Sequence, residues 1–244
     1  MFGPRSALLA LVVALLAGVA VWVDGVKERF YIFEHGKMHA LVQEAIELYP
    51  NSTAGVVHHI SESLRREHGP HMNANPFPDH PSWDAYTALL EDEKRAQQIS
   101  PYASEWVFNN AGGAMGSMYL LHASITEYLI VFGTPLGTEG HSGRHTADDY
   151  FNIIEGEQWA ATQNSLVMER YPKGSVHHLV RGKAKQYKMH EGCWAIELAQ
   201  GFIPGMLPFG FADAFASTLD IPSLYHTVRI TAREMVGNLL LGKV

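Results

Sequence analysis

Residues 109–144 read NNAGGAMGSMYLLHASITEYLIVFGTPLGTEGHSGR, and within them the run 128–132, Tyr-Leu-Ile-Val-Phe, is apolar on both faces. Such a run suits a buried strand, and the Pro135 turn flanked by Gly133 and Gly137 closes it. Further along, short runs at 166–171, 175–181, 184–189 and 193–199 are parted by Pro-Lys-Gly, Arg-Gly and Glu-Gly turns. Short strands at this spacing predict a small barrel or sandwich. Upstream the period changes. Met38, Leu41, Val42, Ala45, Ile46 and Tyr49 form one helical stripe over 30–49, which Pro50 ends, and 56–66 reads as a second short helix. A polar loop over 69–82 and a charged helix over 83–98 follow, so the chain reads as α+β.

Acids carry the candidate chemistry. In a strand over 193–199, Trp194, Ile196 and Leu198 share one face, and Cys193, Ala195, Glu197 and Ala199 share the other. Glu197 therefore sits among small residues with room beside it. An ionised carboxylate is costly to bury alone, so it needs a proton, a partner or a cation. A structural acid paired with an arginine or a backbone amide is the plain alternative. Asp148 and Asp149, just after 109–144, are further carboxylates within reach of such a site.

The central block, GHSGRHTADDYFNII at 140–154 and CWAIELAQGFIP at 193–204 together resemble the fungal sterol Δ8-Δ7 isomerases and their vertebrate relative, the sigma non-opioid receptor. Matching positions run over 106–233, and AKQYKM at 184–189 and LPFGFADAFAST at 207–218 lean toward the fungal enzymes. The resemblance implies a membrane anchor over 1–25, a helical region with a polar insertion over 26–105, a cupin-like β-barrel over 106–202 and membrane-facing helices over 203–244. It also implies a homotrimer in the endoplasmic reticulum membrane, a sterol substrate, amphipathic amines as inhibitors, and no cofactor or metal.

For the reaction, the family implies protonation at carbon 9, a cation at carbon 8 and loss of a proton from carbon 7. A carboxyl in an apolar cavity can keep its proton near neutral pH and then stabilise the cation as a carboxylate. Glu197 takes the cation and proton-donor role, with Asp148 as first partner and Asp149 in reserve, and which acid protonates and which deprotonates stays open. An ungapped comparison puts Phe151 where the receptor has its second acid, and Asp148 at another acidic position. Tyr128, Phe132 and His145, then Met118, Ile130 and Trp194, fall at or beside the relatives' aromatic pocket. A receptor-like binding and chaperone protein without catalysis is the competing function.

Residues 7–23 are uninterruptedly apolar, with Arg5 before them and Asp24, Lys27, Glu28 and Arg29 after. Both an anchor, with Phe2 and Trp22 at the interfaces, and a signal peptide cut near Gly18-Val19-Ala20 fit this pattern. Positive charges balance across the run and leave its orientation open. Asn51-Ser52-Thr53 is a glycosylation sequon. Near the C-terminus, Ile221, Leu224, Tyr225, Val228, Ala232, Met235 and Leu239 recur on one helical side, opposite Ser223, His226, Arg233, Glu234 and Asn238. Core packing and a helix pair lying flat on a bilayer both fit.

At 244 residues the chain suits one domain of roughly 200 residues plus a terminal segment. Its net charge of −7, with lysines and arginines scattered, excludes a nucleic-acid groove and a polybasic lipid-binding tail. One cysteine, Cys193, permits no intrachain disulfide. The fourteen histidines are dispersed. His141 and His145 have the spacing of a helical metal pair, but no His-x-His cluster of a metal-dependent cupin is present.

Overall fold

Strand alternation, carried through neighbouring strands of one sheet, builds the molecule. A computed structural model describes residues 11–73 and 105–244, apart from 13, 16, 17, 19, 20 and 23. One antiparallel sheet takes six strands in the order β1 (Val107–Ala111), β2 (Ala114–Ala123), β3 (Glu127–Thr134), β10 (Cys193–Gly201), β5 (Ala147–Glu155) and β8 (Val176–Leu179). The second takes four, in the order β4 (Thr138–His141), β9 (Gln186–Met189), β6 (Glu157–Ala161) and β7 (Glu169–Pro172).

Each face of the larger sheet has its own core. The outer face, with Tyr119, Leu121, Leu129, Val131, Ile154, Ile196 and Leu198, packs on α1 (His35–Leu48) and α2 (Thr53–His68) through Met38, Val42, Val57 and Ile60. The inner face carries Met118, Ile130, Phe132, Ile153, Ala195 and Ala199 toward the second sheet. β3 is accordingly buried along its whole length, as 128–132 predicts. The strand expected over 166–171 forms only at Glu169–Pro172, and Leu166, Val167 and Met168 are exposed before it. The first helix starts at His35, because Ile32 and Phe33 are drawn out straight to a buried acid.

That acid is Glu127. It accepts from Ile32 N at 2.8 Å, Phe33 N at 3.1 Å and Gln200 Nε2 at 2.7 Å, and it pairs with Lys243 at 3.0 Å. Neither ionised side chain reaches solvent, Glu127 being 0% and Lys243 4% exposed. One carboxylate thus joins the segment before α1, two central strands and the tail after the last helix. A second tie runs from Arg233 to Glu105 and Asn73, which flank the undescribed stretch 74–104.

The C-terminal pair is α3 (Leu207–Ala216) and α4 (Ile221–Leu240). α4 buries Ser223, Thr227, Ile230, Thr231, Met235 and Asn238, and exposes Tyr225, Val228, Val236, Leu239 and Leu240. Much of its polar side therefore faces the protein and much of its apolar side faces out, against the ordinary pattern for a helix in water. Among the described residues no helix is long and apolar enough to cross a membrane. The anchor expected over 1–25 falls partly outside them, as do the helix at 83–98 and most of the loop at 69–82.

Removing one member of a buried ion pair strands the other, at roughly 3–5 kcal/mol. Glu127→Ala should lower the denaturant midpoint of the solubilised protein by about that much, and Lys243→Met by less, since the backbone donors still satisfy Glu127. Equal, small effects of both would contradict this reading of Glu127.

Candidate active site

The inner face of the larger sheet and the shorter sheet enclose a chamber with about 930 Å³ of empty space, its open mouth included. β2, β3 and β5 supply Met118, Tyr128, Ile130, Phe132 and Phe151; β6, β8 and β9 supply Gln158, His177 and Tyr187. Met206 and Leu207, Phe209 and Phe211 of α3, and Thr227 of α4 close it on the side of the outward-apolar helices.

Two carboxyls stand in this apolar room. In the β10–β5 ladder Glu197 lies opposite Phe151, and Asp149 lies opposite Ala199, one same-face step away. Such diagonal neighbours are within reach of each other's side chains. The two carboxyls are hydrogen-bonded together, and both line the chamber. Two desolvated carboxyls in such contact resist ionising together, which favours a proton kept between them.

Burial is the largest influence on each group and raises both pKa values above the ordinary 3.8 and 4.5. The negative charge of Glu197 raises Asp149 further, whereas the shared hydrogen bond raises Asp149 and lowers Glu197. The two acids are coupled, so the raised titration belongs to the pair and not to either residue. The buried Oδ1 of Asp149 has no hydrogen-bond partner.

Asp148, the first-expected partner, lies outside the chamber. Its side chain turns to the other side of β5, where Oδ1 meets His178 Nε2 at 2.8 Å and the backbone N of Arg181 at 3.3 Å. Trp194 is likewise displaced: it packs in the outer core, edge-on to Trp106 at 5.9 Å. Its ring covers Gly133, where a Cβ would come within 2.4 Å of it. Strand alternation had already put Trp194 on the face opposite Glu197. Met118, Tyr128, Ile130, Phe132 and His145 do line the chamber.

His141 and His145 do not form a helical metal pair. His141 ends β4 and accepts from Gly143 N at 2.9 Å, while His145 Nε2 lies 2.6 Å from Ser142 O. Among the described residues no group of three or more His, Cys, Asp or Glu is placed to hold a metal ion. Phe151, named from the sequence only as standing in place of an acid, and Gln158, His177, Tyr187 and Phe209 were not expected in the chamber wall. Ladder register brings in the four strand residues and the packing of α3 brings in Phe209, and no local pattern marks them. His177 is engaged on both nitrogens, with Gln158 Oε1 at 2.6 Å and Lys185 Nζ at 3.1 Å. Burial, then the Lys185 charge, pushes it down to about 4.

Fold and site together define a class: two antiparallel sheets around an apolar chamber, a proton-sharing carboxyl pair in its wall, and C-terminal helices turned apolar side outward. The pattern that defines the ERG2 and Sigma1 receptor like protein family matches residues 10–243, and the chain belongs to that family. It is 50% identical to a C-8 sterol isomerase of Pyricularia oryzae, over 100% of both chains. It is 50% identical to one of Mycosarcoma maydis, over 98% of this chain and 89% of the relative. The sigma non-opioid intracellular receptor 1 of Taricha granulosa is 46% identical over 53% of this chain and 58% of its own length. A cupin family protein of Methanocaldococcus jannaschii with a double-stranded β-helix fold overlaps 38% of this chain and 84% of its own, at 14% identity and a TM-score of 0.32.

The raised carboxyls have a consequence for stability. Groups that bind protons more tightly folded than unfolded favour the fold most below their unfolded pKa values, and this contribution is lost as pH rises through the folded ones. Asp149→Asn, which cannot ionise, should therefore raise the melting temperature relative to the parent at about pH 7.5, and by much less at about pH 4. A gain of the same size at both pH values would contradict the shared, raised titration.

Proposed function

We propose that this protein is a sterol isomerase that moves the ring double bond from the Δ8 to the Δ7 position. The carboxyl pair, sharing a proton inside an apolar chamber, carries this reading. Support comes from the full-length identity to proteins named C-8 sterol isomerase.

The steps balance without a redox partner. Asp149 gives its proton to carbon 9, whose new C–H bond takes the π electrons and leaves a cation at carbon 8. Glu197, now beside that cation as a carboxylate, stabilises it at low dielectric with no solvent to reorganise. A C–H bond at carbon 7 then gives its electrons to the new double bond, and its proton returns to the pair. The hydrogen bond between the carboxyls resets the proton for the next cycle. In this reading Asp149 makes the first donation and Glu197 faces the cation; the sequence alone puts Glu197 in the cation and proton-donor role and leaves open which acid protonates and which deprotonates.

A flat hydrocarbon substrate lives in a bilayer, which suits the site's surroundings. α3 and α4 border the chamber, and their exposed Phe215, Tyr225, Val228 and Leu239, with Leu219 between them, present apolar surface outward. On this reading the helix pair rests on the membrane, the segment 1–25 anchors the chain in the endoplasmic reticulum, and substrate passes between the helices and the barrel. Asn51 of the sequon is exposed, so glycosylation would report a lumenal barrel. A homotrimer is the expected assembly. The receptor-like alternative retains the chamber and Glu197 without turnover; full-length identity and the second buried carboxyl favour the enzyme.

A fungal strain lacking its own isomerase accumulates Δ8 sterols, and this gene should restore Δ7 products in its extracted sterols. Glu197→Gln should restore none, and Asp149→Asn should lose about 10²-fold or more in rate. Asp148→Asn should stay near the parent, because its side chain lies outside the chamber. Failure of the parent gene to reduce the Δ8 pool would favour the receptor reading.

Amphipathic amines should bind as mimics of the cation with Glu197 as counter-ion. Competition binding to membranes should show Glu197→Gln at least about 10-fold weaker for a cationic amine, and little changed for a neutral isostere. Equal affinity for the amine in both proteins would remove Glu197 from that role.

A further inference from the structure

Besides the acid pair, one buried polar atom of the chamber wall has no hydrogen-bond partner among the described residues: Nδ1 of His145. His145 is 8% exposed and lines the same chamber as the acid pair. Its ring orientation and tautomer follow from its neighbours. Nε2 lies 2.6 Å from the carbonyl oxygen of Ser142, and a carbonyl only accepts, so Nε2 carries the hydrogen. In a neutral imidazole Nδ1 is then a bare acceptor. Burial keeps the ring neutral, and the nearby His141 acts in the same direction.

The surroundings hold the ring in place. Gly143, at φ +84°, lies so close beneath it that a Cβ there would come within 2.3 Å of Cε1 and 2.9 Å of the Phe209 ring. Phe209 of α3 meets the imidazole edge-on, with centroids 5.2 Å apart. The other histidines of the wall are already engaged: His141 accepts from Gly143 N, and His177 is bonded on both nitrogens. Glu197 and Asp149 are bonded to each other. A buried acceptor left without a donor is unfavourable unless a ligand supplies one.

We propose that His145 Nδ1 is the acceptor for the substrate's hydroxyl hydrogen, so that the alcohol end of a sterol is fixed beside α3 while the ring alkene lies at the acid pair. This rests on the sterol reading of the chamber and adds a specificity-determining residue to it. A sterol is apolar except at that one hydroxyl. A single donor-matched acceptor therefore sets which end leads and which ring meets the acids.

The test uses full-length solubilised protein and three saturated ligands that undergo no isomerisation: a 3-hydroxysterol, its 3-O-methyl ether and its 3-deoxy hydrocarbon. The ether keeps the oxygen but has no hydrogen to donate. The parent should bind the alcohol about 10- to 100-fold more tightly than either the ether or the hydrocarbon. His145→Leu should bring all three within about 3-fold of one another, and His145→Gln, which restores an acceptor, should recover part of the preference. With a Δ8 substrate, His145→Leu should raise KM far more than it lowers kcat, since the carboxyls are untouched. Equal affinity of the parent for alcohol and ether, or an undiminished preference in folded His145→Leu, overturns the assignment. If the parent binds none of the three while still binding cationic amines, the sterol reading itself fails.

Discussion

Everything at the centre of this molecule follows from one hydrogen bond between two acids that the fold has taken out of water. Glu197 and Asp149 come from adjacent antiparallel strands and point to the same side. Desolvation makes two charges untenable there, so a proton stays. That proton turns an apolar cavity into a site for acid chemistry on a hydrocarbon. The arrangement opposes stability near neutral pH, and the surrounding fold must offset it. Two continuous apolar cores, one on each face of the six-stranded sheet, supply that support.

The division of labour between the two faces explains the rest of the architecture. Ile196 and Leu198 belong to the outer core with α1 and α2, while Ala195 and Ala199, their immediate neighbours, flank the acid on the inner face. Small residues beside Glu197 leave volume, and the aromatic and aliphatic side chains of β3 and β5 line it. Glu127 holds the frame from the far side of the same strands, ion-paired with Lys243 and fully bonded. The molecule thus buries one carboxylate with complete satisfaction and another pair without it. The contrast separates a structural acid from a reactive one.

Much of this was legible in the residues. Alternation over 193–199 is strict enough to place Glu197 among small side chains, and the doubly apolar 128–132 marks a central strand. The partner acid was not legible, because Asp148 and Asp149 are consecutive and a strand sends them to opposite sides. β5 is apolar on both faces, with Ile153 in one core and Ile154 in the other, so its parity gives no sign of which side is inside. Trp194 shows the reverse error, a residue placed by likeness in the pocket against its own strand parity. For α4 the period is plain but the inward side is not: Ser223, Thr227 and Thr231 face the protein because its outward surface is the apolar one. Gln158, His177 and Tyr187 depend on pairing between distant strands, which no local pattern encodes.

The carboxyl pair can be observed directly by isotope-edited infrared spectroscopy of protein carrying labelled aspartate and glutamate. Near neutral pH, the parent should show the carbonyl stretch of one protonated, buried carboxylic acid, which Asp149→Asn shifts or abolishes and Asp148→Asn leaves intact. Absence of that band in the parent, or its persistence unshifted in Asp149→Asn, would contradict a proton shared between Glu197 and Asp149.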